Sequence, residues 1–154
     1  MSNSQSIGIA YSDQAIVAGT IDGSVIGGTT PAVATFTTCY ANQEIGYGTA
    51  AQGTVTQATS KSTGVTLSKS SGQITMDAAA LAATTNVTFT LTNTLLSLKD
   101  VVIVNVASAN ATAGAYNAWI SSMLAGSATI TLRNITAGSL SEAVVINFAI
   151  IHSA

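Results

Sequence analysis

The run "NVTFTLTN" (86–93) decides the fold class. Val87, Phe89 and Leu91 alternate with threonines, a period of two that gives a strand one dry and one wet face. β-branched and aromatic residues at such positions suit a pleated, half-buried surface.

Working outward, "DVVIVNVAS" (100–108) is apolar on both faces at its start, as in a strand covered on both sides. "AYNAWISSM" (115–123), "SATITLRNI" (127–135) and "EAVVINFAIIH" (142–152) follow, and "TVTQATSKSTGVTL" (54–67) and "QITM" (73–76) precede. The separators "SSG", "NATAG", "AGS" and "TAGSLS" carry the glycine and serine of turns. One stretch, "MDAAALAA" (76–83), admits a short helical turn with Asp77 as its cap. About seven strands at regular spacing predict an all-β, antiparallel sandwich or jelly roll over residues 53–154. Phe89, Leu91, Val104, Ile130, Leu132, Ile146 and Phe148 are its expected core.

Residues 1–52 read differently. Aliphatic residues are scattered there among Gly, Ala, Ser and Thr, and neither helical nor strand periodicity is sustained. Residues 1–60 contain no Lys or Arg, and their acids are Asp13, Asp22 and Glu44. This predicts an extended N-terminal arm.

The whole chain of 154 residues is 47% hydrophobic and 6% charged, against roughly 25% charged in an ordinary soluble domain. Serine and threonine, about a quarter of the residues, supply the polarity instead. The apolar runs "VVIV" (101–104) and "FAII" (148–151) are far shorter than the roughly 20 residues of a spanning helix, and no signal peptide is visible at Met1. A surface so poor in charge is expected to be covered by copies of the chain or by a partner. A net charge of -2 with four basic residues argues against nucleic acid, which is held by clustered cations.

Residues that carry chemistry are sparse. His152 is expected at a solvated rim, and the six acids stand singly, without the clustering that metal sites need. No nucleophile elbow or phosphate loop occurs; "GYG" (46–48) lacks the third glycine and the following helix. No catalytic, cofactor-binding or metal residue is therefore assigned. The lone Cys39 excludes an intrachain disulfide and is expected to be a small buried hydrophobe. The N-x-T triplets at Asn86, Asn110 and Asn134 are about what this composition produces without selection for glycosylation. Tyr116 and Trp119 fall on opposite faces of a strand, so that one of them is expected to anchor the core or an interface.

Two stretches resemble bacteriophage sequences. "IDGSVIGGTTPAVATFTT" (21–38) resembles a connector of tailed-phage fibre and virion proteins, from which it departs at Val33-Ala34. "GTVTQATSKSTGVTLSKSSGQITM" (53–76) through "AGSLSEAVVINFAII" (137–151) is similar to a β-rich domain of phage structural proteins. The resemblance implies a virion surface protein, either a capsid decoration (cement) protein or a head fibre. Such a protein is assembled in the bacterial cytoplasm, sits on the major capsid protein and is commonly a homotrimer. On that reading the arm adds to neighbouring chains by strand pairing. Pro31 holds the residue before it extended, while Ile21, Val25, Ile26, Val33 and Phe36 fill grooves between subunits. The alternative is a tail or fibre adhesin that binds host-surface glycans through Trp119 or Tyr116. An enzyme needs paired carboxylates, which this chain supplies only across a subunit interface.

Overall fold

The computed structural model describes residues 33–107 and 111–153. The chain divides into two units, Met1–Asn42 and Gln43–Ala154. In the first, residues 33–42 are exposed and form no helix or strand.

The second unit is the all-β sandwich that the sequence predicts. Its strands are β1 Gln52–Thr56, β2 Val65–Thr66, β3 Ser71–Thr75, β4 Asn86–Thr92, β5 Val101–Ala107, β6 Tyr116–Leu124, β7 Ser127–Asn134 and β8 Val145–Ile151. One sheet runs β1-β3-β8-β5 and the other β2-β4-β7-β6. From β1 to β6 the chain changes sheet at every step, which makes β3 parallel to β1 and β4 parallel to β2. The sheets are therefore mixed, where the sequence reading had antiparallel pairs throughout. Turn residues mark where a chain reverses without saying which sheet it joins. The β6–β7 pair is a true hairpin, turning through Ala125 and Gly126, the latter at φ 81°, a backbone region open to glycine.

Alternation places the core between the sheets. Phe89, Leu91, Ile130, Leu132, Ile146 and Phe148 are buried as expected, joined by Ile74, Met76 and Ile150. Val104 is half-buried, one of the side chains that pack around this core.

Two local expectations are corrected. Residues 54–67 are two strands rather than one run, because Gln57 and Lys61 turn inward between them. Nor is there a helical turn at 76–83. Leu81 pairs its backbone with Leu140, donating at 2.8 Å and accepting at 3.1 Å, so its peptide groups are satisfied by bridging. Asp77 caps in miniature, its Oδ1 accepting from the Ala79 N–H at 2.7 Å. No helix among the described residues is long and apolar enough to cross a membrane.

Candidate functional site

The outer face of the β1-β3-β8-β5 sheet carries the most distinctive surface feature. Gln52 and Thr54 of β1, Ser71 and Gln73 of β3 and Asn147 of β8 line a groove of about 430 Å³, with Thr49 at its end. The ladder explains the alignment: Thr54 pairs with Gln73, Gln73 with Asn147, and Asn147 with Asn105 of β5. Because partners in register share a face, these four side chains form one polar row across the whole sheet. The Gln73 Nε2 donates to Asn147 Oδ1 at 3.0 Å.

Glycines on the opposite face shape this hollow. A Cβ on Gly72 would lie 2.5 Å from the Gly53 carbonyl oxygen, 2.9 Å from Leu67 and 3.1 Å from Phe148. The backbones of β1 and β3 thus sit directly on the core side chains, and the outer face sinks with them. The turn Thr49–Ala51 closes one end of the groove and is held there. Gln52 Nε2 donates to the Tyr47 carbonyl at 2.7 Å and Lys69 Nζ to the Ala50 carbonyl at 2.8 Å, while the Tyr47 hydroxyl donates to the Ile150 carbonyl. The "GYG" stretch is therefore part of a wall, and no left-handed glycine occurs in it.

On the same face, toward the β5 edge, the character changes. Val101 stands opposite Ile151 and Ile103 opposite Ala149, and Val101, Ile103 and Ile151 are each about half exposed. This is the double-sided apolarity read from "VVIV". On the outer face of the other sheet, Trp119 lies opposite Thr131 and is half-buried, while Tyr116 enters the core. Tyr116 is thus the anchor of that pair. Its hydroxyl is buried without reaching hydrogen-bond geometry with any group. Burial, and then the facing Glu142 carboxylate, push its phenol up to about 12.

The remaining ionisable groups hold loops in place. Lys61 is buried, and its Nζ donates to the Asp77 carbonyl at 2.6 Å and to the Glu142 carbonyl. Burial lowers its pKa against the opposing pull of the Asp77 and Glu142 carboxylates. Gln57 completes the clamp, donating to the carbonyls of Lys61 and Thr63 and accepting from the Asp77 N–H. Glu142 accepts from the hydroxyl and N–H of Thr112, which hold its carboxyl below the usual range. His152, on the solvated rim as expected, approaches Asp100 at 3.0 Å through Nδ1. Among the described residues no three His, Cys, Asp or Glu side chains gather as a metal site would require.

Of the residues assigned to subunit or capsid contact, Ile21, Val25, Ile26 and Pro31 lie outside the described residues. Val33 and Phe36 are 98% and 60% exposed. Cys39 is exposed as well, contrary to the buried position expected of it. Every residue of 33–42 is exposed. Asn134, the third glycosylation triplet, is fully buried, and its Nδ2 donates to the carbonyls of Leu81, Ala82 and Gly138. No glycan can be attached there in the folded chain. The groove was not legible in the sequence, since its residues are ordinary polar positions on three strands that only the sheet order brings together.

No family model, curated protein or solved structure matches the chain.

Proposed function

We propose that the chain is a structural protein of the virion surface, a decoration protein that binds a tailed-phage capsid as a homotrimer and bridges capsid subunits without doing chemistry. The observation that carries this reading is the segment 33–45. It bears Val33, Phe36, Tyr40 and Ile45, exposed by 98%, 60%, 90% and 79%, and its single charge is Glu44. Apolar side chains presented in this density on a segment without helix or strand gain from burial against a partner surface. The half-exposed Val101, Ile103 and Ile151 on the sandwich offer a second apolar contact, suited to association between copies. The phage-like connector and C-terminal domain noted in the sequence supply the identity of the partner.

The test is the oligomeric state followed by capsid binding. Light scattering on the purified chain at micromolar concentration is expected to give the mass of a trimer, and sedimentation with capsids lacking decoration is expected to carry it into the pellet. A stable monomer that stays in the supernatant would overturn the reading.

A further inference from the structure

We propose that the groove on the outer face of the β1-β3-β8-β5 sheet is a binding site for a neutral glycan. The chemistry of the lining selects the ligand class. Thr49, Gln52, Thr54, Ser71, Gln73 and Asn147 provide hydroxyls and carboxamides and no charge. The neighbouring cation, Lys69, is not part of the lining and directs its Nζ to the Ala50 carbonyl at 2.8 Å, so the groove has no lining cation to pair with a phosphorylated or sulfated ligand. Phe148 and the backbones of Gly53 and Gly72 complete the lining. A polyol ring, with its hydroxyls at the edge and C–H groups on its faces, matches this mixture of polar walls and apolar floor.

The amide geometry is specific. With Gln73 Nε2 given to Asn147 Oδ1, the Gln73 Oε1 acceptor and the Asn147 Nδ2 donors have no other protein partner among the described residues. Acceptor and donor belong to adjacent strands, whose backbones lie about 4.8 Å from each other. That pairing suits two neighbouring hydroxyls of a sugar, one donating to Gln73 and the other accepting from Asn147. The row continues to Thr54 on one side and Asn105 on the other, spanning four strands or about 14 Å, so an oligosaccharide lying across the strands can be read at successive positions. A volume of about 430 Å³ lies within the range of small-molecule sites, and Gly53 and Gly72 keep the floor hollow. Trp119, the residue that sequence reasoning offers as a sugar platform, stands on the opposite sheet and takes no part. The proposal does not depend on capsid decoration, since every residue it uses lies within Gln43–Ala154.

The full-length chain should be applied to a printed array of neutral and acidic oligosaccharides, with the strongest hit measured by calorimetry. Binding to a neutral member is expected, with an affinity that changes little as salt is raised. The double variant Gln73→Ala/Asn147→Ala, altered only on the outer face, is expected to keep its melting temperature and to weaken the hit about tenfold or more. Trp119→Ala should bind as the parent does. An array with no neutral hit, a preference for acidic glycans, or a hit abolished by Trp119→Ala and untouched by the double variant would overturn the assignment.

Discussion

Asp100 shows how one carboxylate ties the end of this chain to the sandwich. Its side chain is 1% exposed and accepts from the Ser97 N–H at 2.9 Å, the Ser153 N–H at 3.1 Å and the His152 ring at 3.0 Å. The Ser97 N–H is the largest influence, and together these donors outweigh the cost of burial and lower the carboxyl from 3.8 to about 2. A depressed folded-state pKa means that the folded chain prefers the charged form, so the group stabilises the fold above its unfolded value. That contribution is lost progressively as pH falls from about 4 through about 2 and is gone below the folded value, where the carboxyl is protonated in both states. Asp100→Asn keeps the shape and removes the titration. The parent is therefore expected to melt higher than Asp100→Asn at pH 5, and the gap should narrow progressively as pH is lowered from 4 through 2. A gap that stays constant across this window would show that the carboxylate's charge is not what holds the tail.

Among the elements, the pair β1 and β3 is where packing and surface shape depend on the same atoms. Since a Cβ on Gly72 would meet the Gly53 carbonyl, Leu67 and Phe148 at once, Gly72→Ala must push the two strands apart or displace the phenyl ring. Overpacking of this kind costs about 2–3 kcal/mol, which urea unfolding will register as a lower midpoint with an unchanged slope; a neutral substitution would mean that the strands separate easily and that the groove is not built on this contact. Neither glycine stood out in the sequence, because glycine in "QGTVT" and "SSGQITM" reads as turn chemistry as readily as close approach. Contrast β4 and β7, whose alternation was plain: Phe89, Leu91, Ile130 and Leu132 each face the core, and the period of two reports that directly. What alternation does not encode is which strands become neighbours. The parallel edges, the inward turn of Gln57 and Lys61, and the polar row from Thr54 to Asn105 all arise from long-range pairing of segments that are locally unremarkable, so the fold class was legible and the candidate site was not.

At the scale of the whole molecule, the composition break near residue 50 becomes a question of where the self-sufficient unit begins. Sequence patterning puts the boundary between residues 52 and 53, but Tyr47 donates to the Ile150 carbonyl and the Ala50 carbonyl accepts from Lys69, and the compact unit starts at Gln43. A chain beginning at Gln43 retains every strand among the described residues, the buried core and the wall of the groove. It is expected to fold with a melting temperature close to that of the full chain, because the described strands and the buried core all lie within Gln43–Ala154. A chain beginning at Gly53 loses the Tyr47 and Ala50 anchors and part of β1, and is expected to melt measurably lower. Capsid binding should separate from folding in this series. If the arm is the attachment device, the Gln43 variant no longer sediments with capsids yet keeps its circular dichroism, and binding by the full chain is nearly insensitive to salt, since the arm offers apolar and backbone contacts in place of ion pairs. Full decoration by the Gln43 variant would move attachment to the sandwich, with Val101, Ile103 and Ile151 as the surface to mutate next. Failure of that variant to fold would instead make part of residues 1–42 a structural component of the domain.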